Sequence, residues 1–228
     1  MSERPILMNT DMVRAILEGR KTVTRRNPFQ MAPGCEPVNG LYRGDKNRTC
    51  TLFKVPKLLV AKPVYAPCER GDILWVRETW TRLPETPGGH FRPRGVYYYK
   101  AGEDIRPEKY RENGWHPSIH MPREAARIFL RVTGVRVERL QAITEEDAKA
   151  EGAEKMYPYT DPETGKAAFL LHEKGTYRAG FSQIWDSTIP KRPSMFERYL
   201  YYWEYNPWVW VIEFERISKE EAKHAKPE

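Results

Sequence analysis

The sequence predicts a mixed α+β chain: a small β-barrel flanked by short helices and carrying irregular insertions. Three observations carry that reading. A short amphipathic helix follows the first apolar residues, and several later segments alternate as strands do. A late strand, Trp208-Val209-Trp210-Val211-Ile212-Glu213-Phe214-Glu215, is placed to close the sheet. The long alternation over 127–139 breaks at Gly134, which predicts the bulge or bend that a barrel strand needs.

Pro5-Ile6-Leu7-Met8 opens the chain as an apolar strand. Asn9 or Thr10 then caps a helix in which Met12, Val13, Ile16 and Leu17 form one stripe. Gly19 suits the left-handed position that ends a helix, and the β-branched Thr22-Val23-Thr24 favours a strand. The result is a rigid corner, Gly19-Arg20-Lys21-Thr22-Val23-Thr24-Arg25-Arg26, that presents cations and hydroxyls together. Residues 27–70 read as an irregular, proline-rich basic insertion, with a hairpin over 52–55 and 57–60 broken at Pro56.

Gly71-Asp72 turns into a strand over 71–80, with Trp75, Arg77 and Thr79 on one face and Leu74, Val76, Glu78 and Trp80 on the other. A glutamate on the more apolar face is either paired with a cation or facing a cavity. Residues 84–94 read as a loop, and Val96-Tyr97-Tyr98-Tyr99 as a further strand. Two prolines keep Pro117-Ser118-Ile119-His120-Met121-Pro122-Arg123 extended or turned. A capping pattern from Thr144 to Asp147 and a terminal Gly152 delimit a short helix. Residues 177–185 form another helix inside an aromatic-rich insertion, and 218–228 read as a charged, frayed tail.

A chain of 228 residues suits one domain over 1–217, with insertions at about 27–70 and 153–205. No stretch approaches the ~18 continuous apolar residues of a membrane helix. Met1-Ser2-Glu3-Arg4-Pro5 lacks the apolar core of a signal peptide. The expectation is a soluble, cytoplasmic protein with no membrane partner. Cys35, Cys50 and Cys68 are odd in number, widely spaced and without a C-x-x-C pair, which argues for reduced thiols and against a disulfide framework. No zinc-ligand spacing is present, and neither a metal nor a cofactor is expected. The formal charge of +7 is unevenly placed. Residues 1–70 hold 13 Lys and Arg against 6 Asp and Glu, whereas 71–228 hold 25 of each. Such asymmetry suits a polyanionic partner.

Gly19, Lys21 and Arg26 fit the signature G-x-K-x-x-x-x-R, and on these residues the chain resembles the ASCH-domain family of small, PUA-like β-barrels. Gly71-Asp72-Ile73-Leu74-Trp75-Val76-Arg77-Glu78-Thr79-Trp80 and the Pro117 to Arg123 run resemble the longer ASCH-type proteins often encoded by phages and prophages. The corner is also similar to that of small bacterial members that look like amidohydrolases of N4-acetylcytidine. Ile143-Thr144-Glu145-Glu146-Asp147-Ala148-Lys149-Ala150-Glu151 and Val211-Ile212-Glu213-Phe214 share that similarity. The resemblance implies a PUA-like barrel acting on a nucleoside or nucleic acid. It also implies Lys21, Thr24 and Glu151 as a catalytic set, without metal, for removing an acyl group from N4-acylated cytosine.

That chemistry is coherent. A threonine hydroxyl is inert until a base removes its proton, and a lysine serves as that base if burial or nearby cations lower its pKa. Arg20, Arg25 and Arg26 supply such cations. Glu151 would orient the lysine or protonate the leaving amine. Lys21 and Thr24 are three apart, so a regular strand would send them to opposite faces, and a turn or bulge is required to bring both into one pocket. The alternatives are plain: Lys21 as a phosphate contact, Thr24 as a strand filler, Glu151 as an exposed helix end.

A second function class is a non-catalytic module for RNA or single-stranded nucleic acid. In it Arg20, Arg25 and Arg26 meet phosphates and Trp80 or Trp115 stacks a base. Ser118 and His120 would touch the ligand, and Glu78 would pair with an arginine or line the pocket. A ribonuclease is a weaker third reading, disfavoured by the lack of a histidine pair or metal cluster.

Overall fold

The computed structural model describes residues 1–27, 36–45, 48–54, 61–83, 96–108, 111–112, 114–162, 167–189, 194 and 201–225. In chain order the elements are β1 (Glu3–Leu7), α1 (Thr10–Leu17), β2 (Val23–Arg26), β3 (Glu36–Arg43), β4 (Thr49–Lys54), β5 (Ala61–Tyr65), β6 (Ile73–Arg77), β7 (Trp80–Leu83) and β8 (Val96–Tyr99). There follow β9 (Phe129–Arg139), α2 (Glu145–Ala150), β10 (Met156–Thr160), β11 (Ala167–Leu171), α3 (Tyr177–Ser187), β12 (Trp208–Ile217) and α4 (Lys219–His224). The chain is mixed α+β, as the alternating segments and capped helices predict. Among the described residues the strands form no closed barrel. The expected loop over 84–94, the hairpin residues 55–60 and Cys35 lie outside the described residues.

The residues separate into two units, and β9 and β12 contribute to both. The first comprises 1–19, 71–131 and 215–228. Within it β1 runs parallel to β6 from Glu3↔Ile73 to Leu7↔Arg77, and β6 runs antiparallel to the start of β9. β7 and β8 pair antiparallel from Trp80↔Tyr99 to Leu83↔Val96. Its core gathers Ile73, Trp75, Met121, Phe129 and Ile217. Asn9 caps α1, its side chain accepting from the Met12 amide at 2.8 Å, and α1 ends at Gly19 with φ 75°.

Two expectations change in this unit. The single strand over 71–80 divides, because Glu78 leaves the ladder: its amide donates to Met121 Sδ at 3.2 Å and its carboxylate takes both arms of Arg127. The tail is not frayed over its described length. Ser218 and Glu221 form a reciprocal capping box on α4, and Ala222 is buried against the core.

The second unit comprises 20–70 and 132–214. β2 pairs antiparallel with β12 from Val23↔Glu213 to Arg26↔Trp210. Val23, Leu140, Ile143, Ala148, Phe181, Trp185, Val209 and Val211 form its core. Within the segment read as an irregular insertion, the described residues form a three-stranded antiparallel sheet in the order β3-β4-β5. Its prolines concealed it: Pro37 and Pro63 both sit on the outer strands, where a sheet tolerates proline, and the central β4 has none. Phe53 of β4 meets Trp208 edge-on at 6.0 Å. A hairpin of β10 and β11 also went unread, pairing Met156↔Leu171 to Thr160↔Ala167.

β9 runs through Gly134 as one long strand, as the alternation over 127–139 predicts. A Cβ at Gly134 would lie 2.5 Å from Glu213 Oε2, the far end of a side chain that can turn aside. Cys50 and Cys68 are buried, and among the described residues neither forms a disulfide. Among the described residues no helix is long and apolar enough to cross a membrane.

Candidate active site

The corner and the end of α2 build one buried polar centre in the second unit. Thr144 caps α2 by accepting from the Asp147 amide at 3.0 Å, and Gly152 ends it with φ 84°, a conformation that a glycine adopts without a Cβ clash. Between those two signals the helix is six residues long, which fixes Asp147 and Glu151 four apart on one helical face. The corner docks there through the backbone. Thr22 N–H donates to Ala150 O at 2.8 Å, and Lys21 and Glu151 form an isolated antiparallel bridge.

Thr22 answers the question of face. In a regular antiparallel pair the N–H and C=O of one residue meet the same neighbour. Here the Thr22 amide goes to Ala150 while its carbonyl accepts from Phe214 N–H at 2.9 Å. The backbone therefore turns between Lys21 and β2, and simple alternation does not force Lys21 and Thr24 apart.

Lys21 Nζ donates to Val23 O at 2.8 Å, to Glu151 O at 2.8 Å and to Glu151 Oε2 at 2.5 Å. All three ammonium hydrogens are thus engaged, and the side chain is 0% exposed. Burial holds the Lys21 pKa below its ordinary value; Arg26 and Arg25 push the same way, and the Glu151 carboxylate opposes them.

The other oxygen of that carboxylate, Oε1, accepts from Arg25 Nη1 at 3.2 Å. Arg25 also donates to Glu138 Oε1 through Nε at 3.0 Å and Nη2 at 2.5 Å, and to Asp147 Oδ2 at 3.1 Å. Its guanidinium lies 5.7 Å from the centroid of the Phe181 ring. Arg136 closes the network from β9, donating to Glu138 at 3.2 Å and Asp147 at 3.4 Å and pairing with Glu213.

The structure therefore joins Lys21, Arg25 and Glu151 by direct hydrogen bonds. Thr24 is 1% exposed, and its Oγ1 has no hydrogen-bond partner among the described residues, neither Lys21 nor Glu151. Arg20 is exposed and donates to Gly152 O at 3.2 Å; Arg26 is half-buried and donates to Arg25 O at 3.3 Å.

The remaining expected ligand contacts belong to the first unit. Glu78 is buried and takes a bidentate pair from Arg127 at 2.9 and 2.8 Å, so the paired alternative describes it. Trp80 packs against His116 at 5.1 Å and Tyr97 at 5.8 Å, with its indole Nε1 buried and without a partner among the described residues. Trp115 carries Arg106 over its ring at 4.1 Å. Ser118 and His120 bound a single 3-10 turn, Ser118 half-buried and His120 exposed.

Glu138, Asp147, Arg136 and Glu213 are site residues that sequence reasoning missed. Asp147 carried a usable signal, its spacing of four from Glu151. The others meet only through the pairing of distant strands. Among the described residues no group of three His, Cys, Asp or Glu is placed to hold a metal ion. No family model, curated protein or solved structure matches this chain.

Proposed function

We propose that this chain is an ASCH-type amidohydrolase on a PUA-like scaffold, removing an acyl group from N4-acylated cytosine in a nucleoside or in RNA. The observation that carries the reading is the Lys21–Glu151 contact at 2.5 Å, in which burial lowers the lysine pKa. A neutral Lys21 amine takes the Thr24 hydroxyl proton, and the oxygen attacks the acyl carbonyl. The carbon–N4 bond then breaks, the proton passes to the leaving amine, and water hydrolyses the threonyl ester to free acid and threonine. A buried hydroxyl that lacks a partner suits a nucleophile whose partner is the substrate.

The test is acyl release from N4-acetylcytidine and from RNA bearing it, with chelator present. Wild type should turn over. Lys21→Ala and Thr24→Ala should each lose activity by about 100-fold or more, the range of a general base or a nucleophile that acts as part of a unit. Rates are referred to the folded fraction, because these positions are buried. No turnover, or turnover unchanged by Lys21→Ala, overturns the reading.

A second reading has its own support. Lys21 has every hydrogen engaged and no exposed surface, as a structural strut would, and the excess positive charge lies in 1–70. This is the nucleic-acid-binding module. Its test is salt-sensitive RNA binding lost in the Arg20→Glu, Arg26→Glu double variant. Arg25 is left out because its side chain is wholly buried among carboxylates.

A further inference from the structure

The second unit contains a cleft of about 490 Å³ beside the corner, within the ~300–1,000 Å³ typical of small-molecule sites. Arg20, Lys149, Lys155, His172 and Tyr177 line it, together with Glu154 and Glu173. We propose that this cleft binds a nucleoside monophosphate, with Lys149 and Lys155 holding the phosphate.

The two lysines are the first argument. Lys149 Nζ lies 5.9 Å and Lys155 Nζ 5.6 Å from the centroid of the same Tyr177 ring. Two ammonium groups held around one aromatic ring repel each other, and the ring quadrupole offsets that only in part. Both are exposed, and among the described residues neither forms an ion pair, although Glu154 and Glu173 share the cleft wall. An anion between them would remove the repulsion. A phosphate monoester supplies the right charge and acceptor oxygens for two such donors.

His172 adds a ring N–H donor. Its Nδ1 accepts from Lys174 N–H at 3.0 Å, so in the neutral ring Nε2 carries the proton. Its ring packs against Tyr157 at 5.8 Å, which limits its rotation.

The two carboxylates decide between ligand classes. A bare polyanion would meet repulsion from Glu154 and Glu173, whereas a ligand with hydroxyl or amine donors beside its phosphate would use them as acceptors. A nucleotide has both. The cleft also adjoins the candidate active site through the chain: Arg20 precedes Lys21, and its guanidinium is anchored on Gly152 O, next to Glu151. Only the nucleoside half of this proposal rests on the amidohydrolase reading; the phosphate half stands on the cleft.

The test is calorimetric titration of the full chain with cytidine 5′-monophosphate, cytidine, inorganic phosphate and a 5′-phosphorylated oligoribonucleotide. The monophosphate should bind at least about tenfold more tightly than cytidine or phosphate alone. Lys149→Gln and Lys155→Gln should each weaken it by about tenfold and leave cytidine unchanged, with unaltered circular dichroism. Equal affinity for cytidine and its monophosphate overturns the proposal. So does monophosphate binding that survives both variants, or binding confined to the oligonucleotide. Monophosphate binding without acyl release on any substrate would keep the cleft and remove the amidohydrolase; acyl release without monophosphate binding would do the reverse.

Discussion

Lys21 Nζ holds Glu151 by two of its oxygens, the backbone carbonyl at 2.8 Å and the carboxylate Oε2 at 2.5 Å. The first bond ties the lysine to the end of α2, whatever the charge of either group. The second is an ion pair with side chains 0% and 2% exposed. Removing one partner of such a pair strands a buried charge, at a cost of about 3–5 kcal/mol. Lys21→Met and Glu151→Leu should each destabilise by that amount in urea unfolding, and the double variant by clearly less than their sum. Strict additivity would mean that the pair does not couple.

The same lysine sets a pH dependence. Its folded pKa lies below the ordinary 10.5, chiefly because of burial. Below the folded pKa both states carry the proton, and the cost of burying the charge is borne in full. Between the folded pKa and 10.5 the unfolded chain binds a proton that the folded chain has released, so this group's contribution to stability rises with pH. Wild type should therefore gain on Lys21→Met as pH climbs through that window. A gap that is flat or shrinking across it would contradict a lowered folded pKa.

What the sequence made legible here was local. Asn9, Gly19, Thr144 and Gly152 announced both helices flanking the corner, and each does what its chemistry requires. The Ser218–Glu221 box is equally local in the sequence, although the charge of 218–228 reads as a frayed tail. What stayed hidden was the meeting of distant segments. Glu138 and Arg25 are 113 positions apart, and nothing in a single chain says that β2 and the α2–β9 region will converge. β3, β4 and β5 were obscured for a different reason. Proline weakens a strand reading one residue at a time, whereas its cost depends on whether the strand is central or at an edge.

A phenol in the first unit gives a prediction at high pH. The Tyr99 pKa is pushed up to about 12, first by burial and then by the Glu78 carboxylate, with Arg127 opposing. Its hydroxyl donates to Ala125 O at 2.6 Å. A raised folded pKa contributes stability that is complete below the ordinary value of 10.0 and is lost as pH rises through about 12. Tyr99→Phe should remove that alkaline loss while also removing one hydrogen bond, about 0.5–1.5 kcal/mol at neutral pH. Phenolate absorbance followed against pH should show one fewer late-titrating tyrosine in the variant than in wild type, where Tyr97 is raised as well. Identical titration curves would contradict the assignment.

Gly180 in α3 separates helix propensity from packing by sign. Alanine is ordinarily better than glycine inside a helix by about 0.8–1.0 kcal/mol, so propensity alone predicts that Gly180→Ala stabilises. The structure predicts the opposite. A Cβ at Gly180 would lie 2.0 Å from Glu154 O and 3.1 Å from Glu154 C, and these are backbone atoms with no rotamer to yield. Relief requires moving α3 away from the segment that leads into β10, and with it Phe181 and Trp185, both in the core of that unit. Overpacking of this kind costs about 1–3 kcal/mol, which exceeds the propensity gain over most of its range. Urea unfolding of Gly180→Ala should therefore show a net loss, and Gly180→Val a larger one. An alanine variant as stable as wild type would mean that α3 does not approach Glu154 this closely.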